Sequence, residues 1–107
     1  YLVRHGETTT NVAKTVCGQI DCELTPKGLE QARSMGAKLK NIQFNARYCS
    51  PLIRAKKTAE AIDDLAKFTL VPELMEMNTG DYSKMSVEDL WHKYPLYKYQ
   101  GRFKYHK

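Results

Sequence analysis

The apolar residues of this chain follow two different periods, which predicts strands alternating with helices. Short apolar runs at Leu2 and Val3, around Tyr48 and at 69–71 are typical of buried strands. Two longer stretches repeat apolar or small residues at steps of three and four, as one face of a helix does. They are 26–39, with Leu29, Ala32, Gly36 and Leu39, and 52–65, with Ala55, Thr58, Ala59, Ile62 and Leu65. The alternation predicts an α/β protein with a mainly parallel sheet.

Residues before the predicted helices support their starting points. Thr25 is a good capping residue, and Pro26 suits a first helical turn. A short helix is expected at about 12–15, after a run rich in capping residues, and a last helix at 86–94. We expect the strand at Leu2 to be central in the sheet, with the two long helices covering its faces.

Length and composition fit one small domain with a normal core. The chain has 107 residues, of which 42% are hydrophobic, and no apolar run approaches the length of a membrane span. Three cysteines leave one unpaired under any disulfide scheme, which favours free thiols in the cytoplasm. Five basic residues and no acid lie in 93–107, whereas residues 1–92 are electrically neutral. We therefore distinguish a domain at 1–107 and, within it, a basic aromatic segment at 93–107.

The sequence Arg4-His5-Gly6 follows the first predicted strand and carries the first candidate chemistry. In open α/β sheets, ligands bind where parallel strands end. A neutral imidazole is a nucleophile toward phosphorus, and a guanidinium forks onto two phosphate oxygens. The pattern indicates phosphoryl transfer on His5. The alternative is a core histidine beside a surface arginine.

Three further polar residues occupy positions compatible with such a site. Arg54 begins the second long helix just after a strand, although in isolation the favoured interpretation is a solvated surface arginine. Asn11 can donate to a phosphate oxygen or simply cap a helix. Glu76 lies between Met75 and Met77, so desolvation is expected to raise its pKa and make it a proton donor. The alternative is that Glu76 is a loop carboxylate exposed to water.

Four blocks in order resemble the histidine phosphatase superfamily, also called the phosphoglycerate mutase-like family. They cover residues 1 to about 85 and are 2–8 with Asn11, 24–32, 50–59, and Leu74-Met75-Glu76 followed by Gly80. The resemblance implies a three-layer α/β sandwich with a mainly parallel central sheet. The fourth block looks more like the small-phosphatase branch than the mutase branch.

The resemblance also implies residue roles. His5 is expected to become phosphohistidine, and Glu76 to protonate the leaving group. Arg4, Arg54 and Asn11 are expected to bind the phosphate. The family needs no metal or other cofactor, and its substrates are small phosphorylated molecules. We expect no nucleic-acid or membrane partner, and the sequence does not determine the oligomeric state.

Two departures from the family pattern keep other functions open. Tyr82-Ser83-Lys84 replaces a Trp-Glu-Gly-like run, and no later His-Gly block supplies the family's second histidine. We therefore expect the chain to be the N-terminal portion of a longer protein. The predicted function is phosphomonoester hydrolysis. The alternatives are a phosphoglycerate mutase and a catalytically weak phosphate-binding module, and the tail at 93–107 is expected to lie near the phosphate site or to be a solvated linker.

Overall fold

The structure is a computed structural model that describes residues 1–76 and 85–93. The predictions made for Tyr82-Ser83-Lys84 and for the tail after Lys93 lie outside these residues. Within the described part, no helix is both long and apolar enough to cross a membrane. The described residues form four helices, two short strands and two 3-10 turns, and the helices and these two strands follow one another in the predicted order.

Helices α1, at Thr9–Ala13, and α2, at Pro26–Leu39, are both capped by a threonine. The bounds of α2 are the predicted ones, because Thr25 accepts a hydrogen bond from the Gly28 amide and Pro26 fills the first turn. Helix α1 begins earlier than predicted because Thr8 caps it, and it ends at Lys14, whose φ is 55°. The capping run is therefore part of the helix and its cap, not a loop before it.

Strand β1, at Tyr48–Cys49, and strand β2, at Thr69–Leu70, pair in parallel and are joined through α3, at Ile53–Ile62. Tyr48 is opposite Thr69, and Cys49 is opposite Leu70. The parallel β-α-β unit confirms the predicted α/β class. Helix α3 ends earlier than predicted, because Asp63 is extended and its carboxylate accepts from the Asp64 amide.

Helices α2 and α3 pack against each other through small residues. A Cβ atom on Gly36 of α2 would come closer to the Ala61 carbonyl than real Cβ atoms approach a backbone. Ala32 and Ala59, on the predicted stripes, are buried. The glycine thus lets the two backbones touch. Among the described contacts, α3 lies on strand β1, whereas α2 packs chiefly on α3.

The segment Tyr1–Arg4 is not a strand, although the sequence predicted the central strand there. Leu2 is fully exposed, and Tyr1 packs only edge-to-face on Phe44. A strand is defined by ladder hydrogen bonds to a neighbour, and a cavity separates this segment from β1. The apolar pattern therefore predicted burial that the described residues do not provide.

The last helix, α4 at Val87–Lys93, begins at the predicted cap. The Ser86 hydroxyl accepts from the Asp89 amide, and the Val87 amide donates to the Lys14 carbonyl. A bridge between Thr15 and Ser86 ties this helix to the loop after α1. The start of the loop at 15–25 is therefore anchored to the segment that leads into α4.

Candidate active site

The backbone after His5 is pressed directly onto the first turn of α2. A Cβ atom on Gly6 would collide with the Gly28 carbonyl, and one on Gly28 would collide with the Glu7 carbonyl. The Thr25 amide donates to the Glu7 carbonyl at 2.9 Å, so the contact is also hydrogen-bonded. Two glycines, one in each of two sequence blocks, thereby fix where the chain leaves His5.

Thr58 joins the same segment to α3. Its hydroxyl is 4% exposed, accepts from the Gly6 amide at 3.1 Å and donates to the Arg54 carbonyl at 2.8 Å. From the sequence, Thr58 was predicted as a member of the helical stripe and of the third family-like block, with no role at the site. A hydroxyl on a buried stripe of alanines was the available signal, because a buried hydroxyl needs hydrogen-bond partners.

His5 is half-buried and has a defined tautomer. Nδ1 lies 2.7 Å from the Gly6 carbonyl oxygen, which only accepts, so Nδ1 donates and the lone pair of the neutral ring is on Nε2. Burial lowers the pKa of His5 below its usual 6.5, the Gly6 carbonyl opposes this, and the charges of Arg54 and Arg4 lower the pKa further. The Glu76 carboxylate has a smaller opposing effect. The ring is thus kept neutral and nucleophilic at Nε2.

Arg54 is 3% exposed, so the solvated surface arginine considered from the sequence is wrong. Its Nη2 donates to the Gly18 carbonyl at 2.6 Å, and its Nη1 donates to the Ile20 carbonyl at 3.1 Å. The same Nη1 lies 3.3 Å from Cys17 Sγ and 3.7 Å from Cys22 Sγ. These carbonyls and thiols orient the guanidinium, whose positive charge favours a bound anion.

Arg4, His5, Arg54 and Glu76 line one cavity of about 840 Å³. Small residues of α3, among them Ala55 and Ala59, lie on another wall. Arg4 and Glu76 are exposed, whereas Arg54 is buried. Glu76 follows the 3-10 turn Pro72–Leu74, which leaves Met75 half-buried and turns Glu76 outward. The sequence predicted that apolar side chains desolvate this carboxylate, but Glu76 is exposed.

Asn11 is the one predicted site residue that does not line this cavity. Its Oδ1 accepts from the Thr8 amide at 2.9 Å, and its backbone amide donates to the Thr8 hydroxyl at 3.2 Å, which together form a capping box. This is the capping alternative that the sequence left open. Since the oxygen is engaged, a phosphate contact would have to come from the amide nitrogen.

Comparison with known proteins identifies the family. The family model of the histidine phosphatase superfamily (branch 1) matches residues 1–106. The chain belongs to this superfamily. The adenosylcobalamin/alpha-ribazole phosphatase of Salmonella typhimurium is 40% identical over 96 residues, which are 87% of this chain and 47% of that protein. The chain spans about half the length of the curated relatives that it matches.

Solved structures agree with this family assignment. The alpha-ribazole phosphatase of Shigella flexneri has a TM-score of 0.77 and 33% identity, over 92% of this chain and 50% of that one. A phosphoglycerate mutase of Bacillus anthracis has a TM-score of 0.81 and 29% identity, over 97% of this chain and 47% of that one. These similarities confirm the predicted phosphoglycerate mutase-like fold and leave both phosphatases and mutases among its relatives.

Proposed function

We propose that the protein to which this chain belongs hydrolyses phosphomonoesters through a phosphohistidine on His5. The observation that carries the proposal is the position of a neutral, half-buried imidazole with Nε2 unprotonated, lining the same cavity as Arg4 and Arg54. Two guanidinium groups can bind the phosphoryl oxygens and stabilise the charge that develops during transfer. The 40% identical relative bears a phosphatase name.

In the proposed reaction, a phosphomonoester binds with its oxygens on Arg4, Arg54 and the Asn11 amide nitrogen. His5 Nε2 attacks phosphorus, a nitrogen–phosphorus bond forms, and the bond to the ester oxygen breaks. Glu76 gives a proton to the departing alkoxide. A water molecule then attacks the phosphohistidine and gives its proton to Glu76, which releases inorganic phosphate and restores neutral His5. Substrates of this proposal are small phosphorylated molecules, as for the named phosphatase relatives.

Two alternatives remain in view, each favoured by one observation. Similarity to the Bacillus anthracis phosphoglycerate mutase favours transfer of the phosphoryl group back to a phosphoglycerate. The replacement of the family's Trp-Glu-Gly-like run by Tyr82-Ser83-Lys84 favours a phosphate-binding module with weak turnover. All three functions use the same arginines, so binding of phosphate alone does not separate them.

The test is a comparison of His5→Ala with His92→Ala in the full-length protein. His92 lies in α4 and is exposed, so its loss should leave the reaction unchanged. His5→Ala should abolish both phosphate release from an aryl phosphate and the acid-labile phosphoprotein trapped with a radiolabelled substrate. Conversion of 3- to 2-phosphoglycerate would support the mutase, and binding without turnover would support the module. Full turnover in His5→Ala would overturn the proposal.

We also propose a reducing compartment, the cytoplasm, as the setting of this protein. The support is that Cys17, Cys22 and Cys49 are all free thiols, two of them buried in or near the candidate site. Alkylation of protein taken rapidly from cells tests this: Cys17, Cys22 and Cys49 should all react after denaturation, and a stable disulfide at any of them would contradict it.

A further inference from the structure

Two of the three cysteines belong to the loop that surrounds Arg54. Cys17 Sγ and Cys22 Sγ lie 3.3 and 3.7 Å from the same guanidinium nitrogen. Cys17 is half-buried, and Cys22 is 8% exposed. Both sulfurs are therefore neighbours of one cation at the edge of the candidate active site, an arrangement that the proposed phosphoryl transfer does not need.

The loop is folded so that both sulfurs approach the same nitrogen of Arg54. The Ile20 amide donates to the Cys17 carbonyl, and the Cys17 thiol donates to the Ile20 carbonyl at 3.0 Å. Gly18 has a φ of 59°, which reverses the chain between the two cysteines at little steric cost. The Thr10 hydroxyl donates to Cys22 Sγ at 3.5 Å. The pair is thus held by the fold as well as by its short separation in sequence.

The thiols differ in their tendency to ionise. Burial opposes ionisation of Cys22, yet the neighbouring Cys17 thiol, the Thr10 hydroxyl and the Arg54 charge outweigh it and lower the pKa of Cys22. Burial and the hydrogen bond to Cys22 raise the pKa of Cys17. Burial also raises the pKa of Cys49, which is 6% exposed and donates to the Ser50 carbonyl. Cys22 is the thiol best placed to react as a thiolate, with Cys17 beside it.

We propose that Cys17 and Cys22 are a modification site, which a peroxide converts into a reversible disulfide, and that this disulfide weakens phosphate binding by Arg54. The first part stands on the loop geometry alone. The second part rests on the proposed function, because it assumes that Arg54 binds phosphate.

The proposed oxidation is balanced with hydrogen peroxide as the oxidant. The Cys22 thiolate attacks one peroxide oxygen, the oxygen–oxygen bond breaks, and a sulfenic acid and hydroxide form. The Cys17 thiol then attacks the sulfenic sulfur, and the hydroxyl group leaves as water with the Cys17 proton. The hydroxide takes up the proton that Cys22 had released. Two thiols and one peroxide thus become one disulfide and two waters, and a dithiol reductant reverses the change.

The expected effect on Arg54 follows from its contacts. A disulfide brings two sulfurs to about 2 Å from each other, so the loop must tighten. Nη1 then loses two sulfur acceptors, and the carbonyls of Gly18 and Ile20 move with the loop. A guanidinium that has lost its fixed position binds phosphate less well, because its ordering must be completed during binding.

The test of the modification is peroxide treatment of the full-length protein, followed by alkylation and tryptic peptide mass analysis. Residues 15–27 form one tryptic peptide with both loop cysteines, and residues 48–54 form another with Cys49. Peptide 15–27 should lose two hydrogen atoms and resist alkylation, at a rate about tenfold above any oxidation of Cys49. Equal oxidation of Cys49, or sulfinic acid without a disulfide, would overturn the modification site.

The test of the consequence is calorimetric titration with inorganic phosphate before and after oxidation. Affinity should fall about tenfold on oxidation and return with dithiothreitol. Cys49→Ser is the matched control and should respond to peroxide like the unchanged chain, whereas Cys17→Ser should no longer form the disulfide or respond. Unchanged affinity in the oxidised chain overturns the second part. If the reduced chain does not bind phosphate, both the second part and the phosphate role of Arg54 are overturned. The disulfide itself is then tested by the mass analysis only.

Discussion

Arg54 and Arg4 lie at the same cavity but belong to two regions that are built in opposite ways. Arg54 is 3% exposed and is surrounded by the loop at 17–22, which accepts hydrogen bonds from both of its terminal nitrogens. Arg4 is exposed and follows Leu2, which has no burial at all. One arginine is therefore fixed by the described residues before any ligand arrives, whereas the other is fixed only when something else contacts it.

The difference separates two contributions of a site arginine: the side-chain entropy that it loses on binding and its effect on folding. A fixed guanidinium loses little side-chain entropy on binding, whereas an exposed one loses about 1–2 kcal/mol of rotamer freedom when it is ordered. Removing the fixed arginine also affects folding, because its acceptors remain behind. Removing the exposed arginine should affect binding alone.

The largest expected effect comes from Arg54→Met, compared with Arg4→Met as the matched change. Arg54→Met should lower the free energy of unfolding by about 2 kcal/mol, since the buried Gly18 carbonyl loses its donor. Both variants should weaken phosphate binding by roughly 10- to 100-fold, the effect of losing one charged hydrogen-bonding group. Urea unfolding and calorimetric titration measure the two quantities. Equal stability of the two variants would show that the loop does not depend on Arg54.

A comparable loss of stability is expected where the backbone after His5 meets helix α2. Gly28→Ala places a Cβ against the Glu7 carbonyl, and overpacking of this kind costs about 1–3 kcal/mol. Ser34→Ala is the control, because Ser34 is exposed on the same helix and alanine is the better helix former. Urea unfolding of both variants measures the difference. If Gly28→Ala is as stable as the control, the close contact between Gly28 and Glu7 does not exist in solution.

The helices show how much of the fold local sequence determines. The bounds of α2 follow from Thr25, Pro26 and a helical stripe, all of which act within a few residues. The strand predicted at Leu2 and Val3 required a neighbouring strand, which a local pattern cannot supply. Strand formation depends on residues far apart in the chain, so the same apolar run is compatible with a central strand or with the open segment observed here.

For the site as well, the sequence predicted the types of residue but not the environment of each side chain. The motif around His5 predicted the proposed nucleophile, but the burial of Arg54 depends on a loop more than thirty residues earlier in the chain. No pattern near Arg54 specifies that Gly18 and Ile20 accept its hydrogen bonds. The sequence therefore predicted which residue types take part, and it left open which of them are enclosed.

Glu76 provides a smaller effect, on the exposed side of the cavity. In the full-length protein, Glu76→Gln should slow release of an alkyl alcohol about tenfold more than release of nitrophenolate, since a good leaving group needs little protonation. Steady-state kcat for one alkyl and one aryl phosphate measures the ratio. Glu73→Gln is the control, because Glu73 is an exposed carboxylate of the neighbouring 3-10 turn. Equal losses for both substrates would remove Glu76 from the acid role.

The smallest expected effect is a shift in the pKa of His5. The charges of both arginines lower this pKa, so it responds to changes in either region. Burial and the charges of Arg54 and Arg4 hold the pKa of His5 below 6.5, so the unfolded chain binds this proton more readily than the folded chain. The contribution of His5 to stability is therefore complete above pH 6.5 and decreases as pH falls toward the folded pKa.

Nuclear magnetic resonance of the imidazole nitrogens measures this pKa directly, and the arginine variants sharpen the comparison. Arg54→Met should raise the pKa of His5 more than Arg4→Met does, because Arg54 has the larger of the two charge effects on the ring. Inorganic phosphate should raise it too, since a bound dianion favours the imidazolium. A larger shift in Arg4→Met would mean that the exposed arginine, and not the enclosed one, lies closer to His5 in solution.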